Sequence, residues 1–434
     1  MRTLIILRGP KGSGRAEYIQ KMGLDPWSID QRRIANTISE PIQTLHDDMA
    51  DDPRSRGAVK SRTLNLLEEK FRRGAFVVFT PSDTGAPLSS SQVSVSDRIL
   101  LEVCERARRR RYDILIIDFA KDANVDAISA RRKARPSIIQ SPETPISRDI
   151  AYYARPIARE QLIAAGCRVL SAVPAAFDAL ISEVMPQKID VSHCQAVVAI
   201  GDIHGYSEEF NRMIDNGPVK NTAYLFTGDF VNKGPASSAV LRRLMDDFSQ
   251  HEHAIFLAGN HERSLEEWSL GNTVHSETFN TTALPDFEKT GFQKDEAREF
   301  MKLLRDAAVI TWNGLNILAS HGGLDRPPAH LPLLSGDHLQ FGVGNSGFDV
   351  DQAWEDNVLD GKIPDPHSFI QIHGHRNKTK KPVAAGVGSY NLEGVDSFSC
   401  LRTLVLTQDQ DQPYRARFIE QPLKAAYRPA KLIS

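Results

Sequence analysis

Ten short apolar runs divide the chain into two sets. In the first half, Thr3 to Leu7, Trp27 to Ile29, Phe76 to Thr80, Asp113 to Asp118 and Arg168 to Val173 read as strands, with helical patterns between them. Strands alternating with helices predict a parallel α/β layer. In the second half the runs are Ala196 to Ile200, Tyr224 to Thr227, Ala254 to Leu257, Ile317 to Ala319 and Phe369 to Ile372. Each is followed at once by a glycine- or histidine-bearing loop. This is the pattern of buried strands whose C-terminal ends feed loops, where open α/β folds place their sites. The break between the sets falls between Met185 and Cys194, where Pro186-Gln187-Lys188 follows a helical stretch. The expected division is residues 1–188 and 189–434, both α/β.

The loops after the second set carry the chemistry. They read Gly201-Asp202-Ile203-His204-Gly205, Gly228-Asp229, Gly259-Asn260-His261-Glu262, His321-Gly322-Gly323 and Gly374-His375. Carboxylate, imidazole and amide donors together suit borderline or hard divalent ions such as Mn, Fe, Zn or Ni, whereas an all-thiolate set would select zinc or iron–sulfur clusters. The expected chemistry is hydrolytic rather than redox. His46, His193, His251, His253, His275, His330, His338 and His367 fall in none of these motifs and read as structural. His373, next to Gly374-His375, reads either as a residue that orients a ligand or as structural.

The five motifs, in this order over roughly residues 194–410, resemble the calcineurin-like metallophosphoesterase superfamily, particularly its phosphoprotein-phosphatase-type branch. The resemblance implies a β-sandwich flanked by helices and two divalent metal ions. Asp202 and His204 would hold the first ion, Asp229 would bridge, and Asn260, His321 and His375 would hold the second. Such a clamp binds phosphoryl oxygens and neutralises charge during in-line displacement. His261 would protonate the leaving oxygen. Where the family has an Asp-Arg pair, this chain reads Asn232-Lys233. Asn232 brings no negative charge to His261, and Lys233 offers a point charge where arginine would offer a fork. Lys233 is expected to contact phosphate. Glu393 stands where nucleic-acid-healing members carry an acidic residue near the site.

A second phosphate signal follows the first strand, in Gly9-Pro10-Lys11-Gly12-Ser13-Gly14-Arg15-Ala16. Strand, glycine loop and helix in this order form a P-loop, in which backbone N–H groups cradle phosphates. Gly9, Gly12, Ser13, Gly14 and Arg15 are the expected ATP contacts. Arg15 stands in the usual lysine position, and Ala16 has no hydroxyl for a magnesium ion. Asp30-Gln31-Arg32-Arg33 resembles the acceptor site of the polynucleotide 5'-kinase family, with Asp30 as general base and Arg33 as acceptor clamp. The alternative is an N-capping aspartate before helix-surface arginines. Lid arginines are expected at Arg155 and Arg159, where Pro156 demands a helix start or kink, or at Arg131, Arg132, Lys133 and Arg135. A solvated helix face is the alternative for either cluster.

The order of the two modules resembles bacterial and phage polynucleotide kinase-phosphatases. The expected function is nucleic-acid end healing: a metal-dependent phosphatase for 3' or 2',3'-cyclic phosphate ends, together with an ATP- and magnesium-dependent 5'-hydroxyl kinase. The expected partners are RNA or DNA ends and a nucleotide. Two alternatives remain: a phosphatase of phosphoproteins or dinucleoside polyphosphates with a non-catalytic P-loop domain, or a binding module that recruits RNA or a partner.

Composition changes this picture little. With 434 residues, 41% hydrophobic and 25% charged, the chain is long enough for two cores. Net charge is −2, but a surplus of about six cations in residues 1–190 faces a surplus of about eight anions in the remainder. Arg106 and Arg108 to Arg111 form a run that could meet a nucleic-acid backbone or be a solvated helix end. Cys104, Cys167, Cys194 and Cys400 make no CxxC pair and suggest reduced thiols. No apolar run approaches the length needed to span a membrane, which points to a cytoplasmic protein or a phage protein made in a bacterial cytoplasm.

Overall fold

The computed structural model describes residues 2–10, 12–31, 34, 53–81, 95–120, 124–134, 146–153, 156–170, 172–214, 217–345, 347–363, 365 and 367–424. The chain forms two compact units, Met1–Met185 and Pro186–Ser434.

The first unit is built on β1 (Arg2–Arg8), β2 (Ser28–Asp30), β3 (Val77–Thr80), β4 (Tyr112–Asp118) and β5 (Arg168–Val169). All pair in parallel, in the order β2-β3-β1-β4-β5. Every residue of β1 is buried, as befits the central strand of a sheet covered on both faces. Leu4, Ile6, Val77, Phe79, Ile114 and Ile116 pack one face against Leu67, Phe71, Leu100 and Val103 of the helices Pro53–Arg72 and Val95–Arg109. The two arginines of β1 have acceptors inside: Arg2 Nη1 donates to Arg110 O (3.0 Å), and Arg8 Nη1 to Asp118 Oδ2 (2.8 Å) and Tyr153 O (2.9 Å).

One sequence expectation changes here and two that were open are narrowed. β5 is shorter than the run to Val173 suggested. It is an edge strand: Leu170 N donates to Ile116 O, and Pro174 has no N–H with which to extend a ladder. The segment 147–165 is two helices, Ile146–Tyr153 and Pro156–Ala164, with Pro156 starting the second, where its missing N–H costs nothing. The arginine run is not a free basic face. Arg110 is buried against Glu68 (2.8 Å), while Arg106 and Arg109 pair with Glu102 and Glu105 one turn back.

The second unit contains β6 (Ile189–Asp190), β7 (Ala196–Ile200), β8 (Thr222–Phe226), β9 (Ala254–Leu257), β10 (Leu304–Arg305), β11 (Ala307–Trp312), β12 (Leu315–Ser320), β13 (Phe369–His373), β14 (Ala384–Gly386), β15 (Ser389–Asn391), β16 (Cys400–Thr407) and β17 (Arg415–Pro422). They form two six-stranded sheets, β10-β9-β8-β7-β16-β17 and β14-β15-β13-β12-β11-β6. Alternate residues of each strand face the other sheet. Val197, Ala199, Leu225 and Leu257 meet Ile310, Trp312, Ile317 and Ile372 to make the sandwich core. The opposite faces are covered by helices. Phe226 stacks on Phe256 (5.0 Å) beneath Phe248 and Phe300, and Leu318 and Phe369 pack on Trp354. β7, β8 and β9 are parallel to one another, as are β12, β13 and β15. Their C-terminal ends supply the loops described next.

Candidate metal centre and glycine loop

Loops after β7, β8, β9, β12 and β13 bring Asp202, His204, Asp229, Asn260, His321 and His375 to one place. Asp229 is the hub. Its Oδ2 lies 3.5 Å from His204 Nε2 and 3.2 Å from His321 Nε2, while Oδ1 accepts the His261 N–H (3.0 Å). Two overlapping donor clusters result, His204–Asp229–His261 and Asp229–His321–His375, each with its ligand atoms within 4.8 Å of one another. Asn260 Oδ1 is 3.2 Å from His321 Nε2, and Asp202 accepts the His375 N–H (3.1 Å).

The backbone is bent where the donors sit. His204, Asp229 and His375 have φ of 48°, 53° and 65°, a region that costs a non-glycine residue roughly 1–2 kcal/mol. The motif glycines serve close approach. A Cβ on Gly374 would strike the Asp202 carboxylate, and one on Gly259 the Asp229 carboxylate. Glu262, quoted in its motif but given no role from sequence, fastens two loops together. Its buried carboxylate accepts the N–H groups of Asp229, Phe230 and Gly259, each at 2.8 Å. Burial, reinforced by the Asp229 charge, pushes Glu262 up to about 7.

Tautomers follow from the carbonyls each ring meets. His204 Nδ1 contacts Val231 O (3.1 Å) and His321 Nδ1 contacts Thr227 O (2.8 Å), so both must donate there and both turn an Nε2 lone pair inward. The His321 Nε2 lone pair then faces two oxygen acceptors, Asp229 Oδ2 and Asn260 Oδ1. Three acceptors converging on one point repel unless a cation lies between them. Without a metal a proton fills that role: burial opposes it, but Asp229 and Asp202 outweigh burial and push His321 up to about 9. Burial raises Asp202 well above the usual carboxylate range, with Asp229 and Glu393 acting in the same direction. His375 is pushed down to about 3 by burial and the neighbouring His321. The donor set fits a divalent cation pair sharing Asp229.

Asn232 Nδ2 lies 2.6 Å from His261 Nδ1. Burial lowers His261 below the usual histidine range, as does Lys233, with Asp229 opposing. Lys233 Nζ contacts His204 Nε2 (2.9 Å) and pairs with Asp396 (2.8 Å), a partner that no motif indicated. Glu393 is buried, and its carboxylate caps the turn at 395–398, accepting from Asp396 N (2.7 Å) and Ser397 Oγ. His373 is buried and braced by Asp351 (2.9 Å), which also accepts from Ser389 and Asn391.

In the first unit the glycine loop leaves the end of β1, with Gly12 and Gly14 at φ 85° and 100° and Ser13 N donating to Pro10 O (3.1 Å). Arg15 opens the helix Arg15–Lys21 and is buried, donating to Pro81 O (3.1 Å) and Leu7 O (3.5 Å). Among the lid candidates, Arg131 of the helix Val125–Ala134 reaches the loop, with Nη1 3.3 Å from Gly12 O, and Arg132 is buried beside Gly12. Asp30 ends β2, in register with Thr80 of β3. Arg33, Arg135 and Arg155 lie outside the described residues, as does the side chain of Arg159.

Residues 196–400 match the calcineurin-like phosphoesterase family. The second unit contains a calcineurin-like metallophosphoesterase domain. The family's proteins use two divalent metal ions, which is the arrangement that two donor clusters sharing Asp229 would hold. Curated relatives include the symmetrical bis(5'-nucleosyl)-tetraphosphatases of Chromobacterium violaceum, 44% identical over 73 residues, and of Burkholderia pseudomallei, 38% identical over 69 residues. The matches cover 16% of this chain and 25% and 23% of those proteins, so the chain spans about a quarter of the length of the curated relatives it matches. Among solved structures, a protein serine/threonine phosphatase from Saccharomyces cerevisiae aligns at 16% identity and a TM-score of 0.38, covering 56% of this chain and 86% of that one. Among the described residues no helix is long and apolar enough to cross a membrane.

Proposed function

We propose that the protein is a metal-dependent phosphoesterase that removes 3' or 2',3'-cyclic phosphate from nucleic-acid ends. The observation that carries the reading is Asp229 Oδ2, which lies 3.5 Å from His204 Nε2 on one side and 3.2 Å from His321 Nε2 on the other. Asp202, His204 and Asp229 would hold one ion, and Asp229, Asn260, His321 and His375 the other, with Mn, Fe, Zn or Ni all suited to these donors. When bound, two such ions supply Lewis-acid neutralisation of the phosphoryl oxygens and acidify a water. His261 keeps its Nδ1 against Asn232 and presents Nε2 as the proton donor to the leaving oxygen. Lys233, tethered by Asp396, meets an anionic substrate at the His204 side.

A nucleic-acid substrate is favoured by the first unit. Its parallel sheet has a glycine loop after β1 and Asp30 as the last residue of β2, two strand positions or roughly 10 Å apart. That is the arrangement expected of a nucleotide-binding 5'-kinase, with Arg131 over the loop in place of a hydroxyl at Ala16. The second reading, a dinucleoside polyphosphate phosphatase, is favoured by the names of the relatives.

One experiment separates them. An oligoribonucleotide with a 5'-hydroxyl and a 3'-phosphate is incubated with ATP, magnesium and manganese, beside a parallel reaction on diadenosine tetraphosphate. Mass spectrometry showing loss of the 3'-phosphate supports end healing, and gain of a 5'-phosphate would add the kinase. Turnover of the dinucleotide with both oligonucleotide ends unchanged would overturn it.

A further inference from the structure

The opposite end of the same sandwich carries another set of donors. His193 and Cys194 lie in the turn before β7, and His253 in the connection before β9, whereas the phosphoesterase loops follow the far ends of those strands. The five residues of β7 hold the two regions about 17 Å apart.

His193 Nε2 and His253 Nε2 are 2.7 Å apart, with the rings edge to face. Cys194 Sγ joins them in a group whose three donor atoms lie within 4.8 Å of one another. The group is held from behind. His251 Nδ1 accepts the His253 N–H (3.3 Å) and its Nε2 faces Val219 O (3.3 Å), so both His251 nitrogens are engaged in placing His253. Cys194 is fixed on both sides of its backbone, its N–H donating to Val191 O (2.9 Å) and its carbonyl accepting the Trp312 indole N–H (2.9 Å). Glu252 Oε2 is 3.5 Å from His253 Nε2.

Two imidazole nitrogens at this distance share at most one proton, because with both Nε2 atoms protonated two N–H groups would point at each other. A metal ion accepts both lone pairs at once. We propose that His193 Nε2, His253 Nε2 and Cys194 Sγ bind a zinc ion, with the Glu252 carboxylate in the fourth position. Zinc–nitrogen bonds of about 2.0–2.1 Å in a tetrahedron put the nitrogens roughly 3.3 Å apart, so the rings must part by only about 0.6 Å. His193 is exposed and free to swing by that amount. Binding releases the Cys194 thiol proton to solvent and leaves a thiolate on the ion. A thiolate with two imidazoles selects zinc over magnesium, calcium and manganese. The ion would clamp the turn before β7 to the connection before β9 and stabilise the start of the sheet.

Cobalt(II) titrated into metal-free full-length protein tests this, because a sulfur-to-cobalt charge-transfer band requires a thiolate and the donors at the Asp229 centre include none. The band should reach its full height within about three equivalents of cobalt, since the Asp229 centre competes for two, and be displaced by zinc. It should vanish in His193→Ala and in Cys194→Ser, and persist in Cys104→Ser and Cys400→Ser. Zinc retained after dialysis should fall by one equivalent in His193→Ala while phosphate-ester hydrolysis stays within about twofold of wild type. His193 is at the surface, so this variant decides the matter if Cys194→Ser fails to fold. No thiolate band in the wild type, or a band that survives His193→Ala, would overturn the assignment.

Discussion

The two units place their unusual backbone angles on different residues. In the first, the left-handed positions around the loop fall on Gly12 and Gly14; in the second they fall on the motif glycines Gly205, Gly228 and Gly323 and also on His204, Asp229, Asn232, Lys233 and His375. A cradle made of backbone N–H groups needs no side chain where the chain turns, so glycine serves without strain. At the metal centre three of the donors, His204, Asp229 and His375, are themselves turning residues, and the strain of roughly 1–2 kcal/mol each stays with them. Glycine in the second unit has a further use beside turning the chain, making room for carboxylates, as Gly259 does for Asp229. A glycine loop therefore announces a shape, whereas the donor motifs announce a chemistry.

If that contrast holds, Gly259→Ala should show the largest effect. Its methyl group would displace the Asp229 carboxylate, and aryl phosphate hydrolysis should fall at least about 100-fold with the fold retained by circular dichroism. Near-normal turnover would break the comparison. Next comes Glu262→Gln, which sets an amide N–H against backbone donors. It should cost about 1–3 kcal/mol in denaturant unfolding and lower turnover by about 10-fold or more. Asn232→Asp would add the missing charge beside His261 and should raise turnover by up to about tenfold; unchanged or lower turnover would argue against His261 as the acid. The smallest effect belongs to the first unit. Ala16→Ser supplies a hydroxyl at the glycine loop and should tighten magnesium–ATP binding a few-fold in calorimetry without altering hydrolysis.

Much of the architecture was legible as apolar runs punctuated by glycine. The five runs of the second half lie within β7, β8, β9, β12 and β13 or run at most one residue past them. The six donors named from the motifs meet because each sits at the C-terminal end of one of those strands. Partners distant in sequence and without a fixed spacing were not legible. Asp396 reaches Lys233 from 163 residues away, and Asp351 braces His373 from 22. Glu262 was visible as a letter, but its hold on three N–H groups depends on two loops meeting in space. His193 and His253 read as isolated histidines because 60 residues separate them; β8 stands between β7 and β9 in the sheet too, and only the connections before those two strands meet at its start. The arginine run, open between a nucleic-acid contact and a solvated helix end, divides: Arg109 is an exposed helix-end cation, but Arg110 is drawn inside by Glu68, a partner 42 residues earlier.

The most direct test of the two-cluster account is Asp229→Asn, measured for bound divalent metal by elemental mass spectrometry and for manganese-dependent aryl phosphate hydrolysis on the same preparation. Because one oxygen serves both clusters, the account predicts that occupancy at both falls together and hydrolysis is lost, with the melting temperature within a few degrees of metal-free wild type. Retention of wild-type metal content with near-normal hydrolysis would contradict it.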